Sequence, residues 1–345
     1  MTATQPTRLR GATPDALVRH RPLVQDSMAD AIRRLSPELR RVAAYHLGLE
    51  DADGRATQGD GGKAVRPAIV LSAAEAVGGA PARAAAGAVA LELVHNFSLI
   101  HDDVMDGDRE RRHRPTVWAL FGVAEAIVAG DALHALAQEL VLEDGSSASV
   151  KAAVELERAT AEMIRGQAED LAFEWRLDVT EDECVAMSSH KTGALLACAG
   201  ALGATLGGGD DEQIHALRTF GRHLGIAFQA VDDVLGIWGD PSLTGKPSAG
   251  DLRQHKKTLP VVHALAGRGP ASAALRLALS NGAIDDDRAG ELVALLEELG
   301  AKPWTVGLAE RHLETALQAL DGSHLDPRAR RDLREIASFV VWRDF

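Results

Sequence analysis

Residues 91–116 read LELVHNFSLIHDDVMDGDRERRHRPT. The stretch begins as an apolar run with helical spacing and ends in acids followed by arginines. Asp102 and Asp106 stand four apart, which on a helix puts them on one face, a single turn apart, with Asp103 beside them. Like charges at that spacing oppose helix formation unless a cation lies between them. A hard, oxygen-seeking ion such as Mg²⁺ meets that need, and Mg²⁺ commonly shares its coordination sphere with substrate phosphates. Arg111 and Arg112 follow, and guanidinium forks suit phosphate oxygens. A second acidic pair, Asp232 and Asp233, lies in FQAVDDVLGIWGD at 228–240, behind another apolar run. Two such clusters facing each other across a helical bundle would hold several Mg²⁺ ions and one diphosphate between them.

Working outward, the 345-residue chain is 46% apolar but only 4% aromatic. Ala and Leu are abundant, and that richness in strong helix formers predicts an all-α fold. We expect residues 14–345 to form one helical domain behind a mobile, polar segment at 1–13. A formal charge of -13 argues against general nucleic-acid binding. No apolar run approaches a membrane span and no secretory h-region precedes the first helix, so the expectation is a soluble, cytoplasmic protein with no integral membrane segment. Cys184 and Cys198 show no metal-ligand or redox spacing and read as buried small side chains. Gly-rich dinucleotide or P-loop patterns are absent.

Helical periodicity predicts segments over 14–49 (restarting at Pro37), 68–77, 81 to the first aspartates, 117–142, 150–175, 181–206 and 214–238. Shorter helices follow at 259–266, 271–279, 285–299 and 304–320. His113 and Arg114 fall in a loop, and no strand alternation is visible. Several polar residues stand out against this frame. Lys63 and Arg66, in GGKAVRP at 61–67, sit at a helix start where amide N–H groups also favour phosphate. His95 lies seven residues before Asp102, on the aspartate side of the helix. GQAEDL at 166–171 sets Gln167 and Asp170 three apart, and Gly166 inside that helix points to close packing or ligand approach. Lys191 and Thr192 lie in an otherwise apolar run. Taken singly, each has an ordinary reading: a solvated basic pair, a hydrogen-bonded core histidine, a snorkelling lysine.

As an ordered set, GGKAVRP, LIHDDVMD, the double arginine, GQAEDL, KTG, FQAVDD and TGKPSAGDLRQHKKTLP resemble the trans-isoprenyl diphosphate synthases, or polyprenyl synthetases, from about Gly61 to the C-terminus. The resemblance implies the isoprenoid synthase fold, a helical bundle around a deep central cavity, usually homodimeric. It also implies Mg²⁺-dependent head-to-tail condensation of isopentenyl diphosphate with an allylic diphosphate. Carried over by position, Asp102, Asp103 and Asp106 form the first metal motif, with Asp102 and Asp106 as direct ligands. Asp232 and Asp233 form the second, giving three Mg²⁺ ions in all. Lys63, Arg66, His95 and Arg112 would bind isopentenyl diphosphate. Arg111, Lys191, Lys256 and Lys246 would bind the allylic diphosphate, and Gln167, Asp170, Thr192 and Gln229 would line the site. Arg343 resembles a C-terminal basic residue of the family. Asp102, Asp106, Asp232, Arg111, Lys191 and Lys256 would carry the catalysis.

Three positions depart from the pattern: Gly236 stands where a third aspartate is usual, Ala64 replaces a basic residue, and His113 a small one. Phe97, five residues before Asp102, resembles the residue that stops the growing chain, and Ser98 beside it is small. That combination resembles geranylgeranyl diphosphate synthases, with farnesyl diphosphate as the alternative product, although an ideal helix aims Ser98 more directly along the aspartate face. Two further readings stay open: a class I terpene cyclase, which would not need a second diphosphate site, and a non-catalytic synthase-like subunit, which Gly236 alone favours.

Overall fold

A computed structural model describes residues 13–57, 64–239, 249–280 and 284–342. The fold is all-α. The first half holds α1 (Asp15–Ile32), α2 (Pro37–His46), α3 (Val65–Ala76), α4 (Ala85–Met105), α5 (Val117–Phe121), α6 (Val123–Leu142) and α7 (Ser147–Phe173). Next come α8 (Glu181–Ser188), α9 (Ala194–Gly207) and α10 (Asp211–Trp238). The C-terminal part holds α11 (Gly250–Arg253), α12 (Leu259–Ala266), α13 (Pro270–Ser280), α14 (Asp286–Glu298), α15 (Ala301–Ala319) and α16 (Pro327–Val341).

Local signals set many of these boundaries. Pro37 and Pro327 occupy first-turn positions, where the missing N–H has no intrahelical partner to lose. Thr180 with Glu183, and Asp210 with Gln213, form reciprocal capping boxes at α8 and α10. Helix α9, apolar on every side, is buried almost throughout, and α3, α4, α7 and α10 pack around it. Helix α10 also lies along α15, and α4 along α6. Arg19 of α1 donates to Glu75 of α3 at 2.8 Å and to Asp332 of α16 at 2.7 Å, tying both ends of the chain to the bundle. A smaller core that includes Leu252, Val261, Leu275 and Leu292 gathers α11–α14 around Ile237 near the end of α10. Among the described residues no helix is long and apolar enough to cross a membrane. Both cysteines are free and buried. Apart from its last residue, the expected mobile segment at 1–13 lies outside the described residues.

The structure corrects three local expectations. The helix expected over 117–142 breaks at Gly122, whose φ of 107° no helix accommodates. The loop expected at 113–114 belongs to a short hairpin, Glu110–Arg111 paired with Arg114–Pro115. Its two turn residues, Arg112 and His113, have φ of 52° and 60°. Tight two-residue hairpins require this left-handed backbone, and asparagine or glycine fits it best. Finally, the helix expected over 181–206 is interrupted by a π-helical turn at Ser189–Gly193. Such turns insert one residue into the ladder and re-aim the side chains around them.

That π turn is wedged between α7 and α10 by glycines. A Cβ on Gly166 of α7 would collide with the backbone nitrogen of Lys191, and one on Gly225 of α10 with Gly193. Gly166→Ala gains up to ~1 kcal/mol of helix propensity. Against this stands a backbone contact that no rotamer change relieves, and overpacking of this kind costs ~1–3 kcal/mol. We expect Gly166→Ala to lower stability in urea unfolding and to disturb the Lys191 site; a variant as stable as the parent would refute the wedge.

Candidate active site

The last turn of α4 carries the first acidic cluster. The Asp106 N–H donates to the Asp102 carbonyl at 2.8 Å, which fixes the two acids one turn apart. Asp103 points inward, 1% exposed, and its Oδ1 accepts from Arg111 Nε at 2.8 Å. Arg111 is delivered by the first strand of the hairpin. Asp106 Oδ2 accepts from Lys256 Nζ at 3.0 Å, a contact between segments 150 residues apart. Burial pushes the Asp102 carboxyl up to about 6, against the pull of Lys191, and the like charge of Asp106 adds to the push.

The π turn and α10 build the facing wall. Lys191 Nζ donates to Asp170 Oδ2 of α7 at 2.6 Å. On the other side, Thr192 Oγ1 donates to Gln229 Oε1 at 2.6 Å, and Gln229 Nε2 passes the chain to Asp233 Oδ1 at 2.7 Å. The Leu259 N–H donates to Asp233 Oδ2 at 2.9 Å. Both oxygens of Asp233 therefore serve protein donors, and burial pushes its carboxyl up to about 8 in spite of them. Asp232, its neighbour, is half-buried. Gln167 is buried with both ends of its amide lacking a partner among the described residues.

The segment after α11 closes the gap between the two walls. Its adjacent lysines diverge: Lys257 Nζ donates to the carbonyls of Glu174 and His255, each at 2.9 Å, while Lys256 reaches Asp106. Burial works against the Lys256 charge, but Asp106, Asp170 and Asp251 outweigh it and hold its pKa above the usual range. Asp251 also resolves the Gly236 departure in spatial terms. A Cβ on Gly236 would collide with the Asp251 carboxylate, so an acid from another segment occupies the place beside α10 where a side chain at 236 would begin.

A basic pocket lies beside the first cluster. His95 is held well below its ordinary pKa by burial and then by Arg66 and Arg112, with Arg111 and His46 adding. Burial, Arg111 and Arg112 push His46 down to about 3. Burial raises the Glu92 carboxyl, against Arg66 and Arg112. The hairpin is clamped onto α2 by the Tyr45 hydroxyl, which donates to the Pro115 carbonyl at 2.8 Å, and by Arg114 stacked 4.2 Å over the Tyr45 ring. Phe97, 8% exposed, packs between α4 and α6, while Ser98 Oγ donates to the His95 carbonyl at 2.8 Å. Lys63, Lys246 and Arg343 lie outside the described residues.

The sequence reading expects Arg66, His95, Arg111, Arg112, Lys191, Thr192, Gln229 and Lys256 to share one site. Of these, Arg111 and Lys256 reach Asp103 and Asp106, Lys191 pulls on the charge of Asp102, and Thr192 and Gln229 lead to Asp233, whereas Arg66, His95 and Arg112 gather with one another beside Glu92. The sequence reading missed Asp251, although that residue lies inside a motif already singled out. It also missed His46 and Glu92, whose roles depend on tertiary packing. Among the described residues no three His, Cys, Asp or Glu side chains form a closed metal cage. Mg²⁺ rarely uses one: one or two carboxylates, with phosphate and water completing the octahedron, are its ordinary protein ligands. The pressed-together, partly desolvated Asp102 and Asp106 fit that role, because a divalent cation relieves the repulsion between them.

A family model for polyprenyl synthetase matches residues 54–296. The chain is 45% identical over 326 residues to the (2E,6E)-farnesyl diphosphate synthase of Mycobacterium tuberculosis, covering 93% of this chain and 90% of that protein. It is 42% identical over 317 residues to the geranylgeranyl diphosphate synthase of the same organism, covering 91% and 89%. Among solved structures, the polyprenyl synthetase from Streptomyces coelicolor A3(2) superposes with a TM-score of 0.89 at 48% identity, covering 95% of this chain and 99% of that one. With the acids, lysines and arginines of the site gathered as described, these likenesses establish that the chain belongs to the polyprenyl synthetase family of trans-prenyltransferases.

Proposed function

We propose that this protein condenses isopentenyl diphosphate head-to-tail with an allylic diphosphate, and that geranylgeranyl diphosphate is its main product. The observation that carries the reaction is the pairing of two anion sites beside one acidic cluster. Lys191 and Lys256 stand with Asp102 and Asp106, whereas Arg66, Arg112 and His95 form a separate basic pocket. A cyclase has no use for the second site, and a non-catalytic subunit has no use for either.

In this reading Asp102, Asp106 and Asp232 hold Mg²⁺, with Asp251 supporting the second cluster. Asp103 and Asp233 then act chiefly as anchors for Arg111 and Leu259. Bound Mg²⁺, of which the family pattern implies three ions, supplies Lewis-acid neutralisation of the allylic diphosphate. Lys191, Lys256 and Arg111 add fixed positive charge where the departing diphosphate gathers negative charge. Arg66, Arg112, His95 and Lys63 orient the isopentenyl diphosphate so that its double bond faces the carbon that loses the C–O bond. The apolar walls exclude water, which would otherwise capture the cation. The departing diphosphate accepts the proton lost at the end, so no side-chain base is needed. A second copy of the chain fits the exposed apolar side chains Val123, Ile127 and Val128 on α6 and Val150, Val154 and Ile164 on α7. A cytoplasmic location accords with the same reading.

Phe97 favours the longer product: a large ring below Asp102 stops the tail, and Ser98 leaves room beside it. The identity to a farnesyl diphosphate synthase favours the shorter one. Incubation with labelled isopentenyl diphosphate, each allylic starter and Mg²⁺, followed by chain-length analysis of the dephosphorylated products, decides between them. We expect the label to stop at twenty carbons; fifteen would establish the second reading, and no incorporation would overturn the condensation. Asp102→Asn should lower kcat by ~100-fold or more while thermal melting stays near the parent's; near-parental turnover would remove Asp102 from the metal site. Arg112→Gln loses a charge-assisted contact of ~1.5–3 kcal/mol and should raise KM for isopentenyl diphosphate selectively. Equal increases for both substrates would dissolve the distinction between the two pockets. Phe97→Ala should yield products longer than the parent's, and an unchanged chain length would reject its role as the stop.

A further inference from the structure

Phe97 is held from two sides. Its ring meets His101, one turn on in α4, edge-on at a centroid distance of 4.9 Å. It lies nearly parallel to His134 of α6, at 5.4 Å and 28° between planes. Each imidazole is in turn fixed. His101 Nε2 donates to the Ile127 carbonyl at 3.1 Å, and its ring fills the space beside Gly130, where a Cβ would collide with it. His134 Nε2 lies 3.2 Å from Glu157 Oε2 of α7, and Gln138 Nε2 donates to the same oxygen at 2.7 Å. A phenylalanine between two helices needs only aliphatic neighbours to be buried. Here polar rings from α4 and α6, and a carboxylate from α7, fix its direction as well as its burial.

We propose that His134, tethered by Glu157, is a positioning residue for product length: it braces the Phe97 ring across the path of the growing chain. The proposal rests on the reading of Phe97 as the stop. A staggered side chain has alternative χ1 wells, and which one it occupies depends on what fills the others. His134 fills the space on the α6 side. Without it the ring can swing toward α6, and the path beneath the acids lengthens. The brace acts through Phe97 and touches neither diphosphate pocket, so its signature is the identity of the product rather than the loss of turnover.

Product analysis with farnesyl diphosphate as starter tests this. His134→Ala should raise the ratio of the next longer product to the parental product about tenfold, the scale on which one or two methylenes are discriminated in an apolar pocket. Glu157→Ala should shift the ratio in the same direction by less, whereas His134→Phe, which keeps the stack, should retain the parental ratio. Adding His134→Ala to Phe97→Ala should change nothing beyond Phe97→Ala alone, because residues acting through one another are not additive. If Phe97→Ala leaves the product unchanged, the reading of Phe97 fails. If Phe97→Ala lengthens it but His134→Ala and Glu157→Ala do not, the brace fails. Further lengthening in the double variant would place His134 in the path itself and overturn the positioning role. Should His134→Ala not fold, Glu157→Ala decides, since that carboxylate is 55% exposed and its loss leaves the core intact.

Discussion

The constraint on which this structure turns is the burial of negative charge. Asp102, Asp103, Asp106, Asp170, Asp232, Asp233 and Asp251 gather in one region, and desolvation raises the carboxyls of Asp102, Asp103 and Asp233. Each acid that is settled in the protein has a specific donor: Arg111 for Asp103, Lys191 for Asp170, Lys256 for Asp106, and Gln229 with Leu259 for Asp233. These donors come from the hairpin, the π turn, α10 and the segment leading into α12. Much of the long-range architecture is therefore organised by the supply of partners to carboxylates. Burial raises Asp102 against the pull of Lys191, Arg111 and Lys256, and the like charge of Asp106 adds to the push, a repulsion that a bound divalent ion would relieve.

The two acidic clusters, alike in sequence, are unlike in space. In the first, successive acids diverge: Asp103 turns into the protein toward Arg111 while Asp102 and Asp106 share the other face. In the second, Asp233 is consumed as an anchor for the first turn of α12, so it links the smaller C-terminal core to α10. The place beside Gly236 is taken by Asp251. Gly236 is thus the residue that leaves room for the Asp251 carboxylate against α10.

Fold and site were unequally legible in the sequence. The helix start at Pro37 follows a rule that depends on a few neighbouring residues, and long amphipathic runs such as α10 announce themselves, whereas α16, which begins at Pro327, was not read from the sequence. The break at Gly122 and the π turn at 189–193 did not announce themselves, because local periodicity continues across each, and the hairpin at 110–115, built of charged and polar residues and a proline, shows no strand alternation. Gly166 and Gly225 were the usable trace of the π turn, since glycines inside helices mark places where another backbone comes close. The site residues on α4, α7 and α10 could be assembled from spacing and family likeness together. Asp251, His46 and the His101–Phe97–His134 stack could not, since nothing in linear order says which side chains share a helix interface.

The hairpin that presents Arg111 and Arg112 carries a consequence for variation. Its turn asks for a residue at ease with positive φ, and an arginine there is strained by ~1 kcal/mol or more. Asparagine or glycine at 112 would relax the backbone yet strip a guanidinium from beside His95. The position is thus pulled two ways, and random drift toward greater thermal robustness would run directly into loss of that positive charge. Tyr45 and Arg114, which press the hairpin onto α2, are what allow that tension to persist, so divergence in α2 is tied to residues it neighbours only in the folded chain.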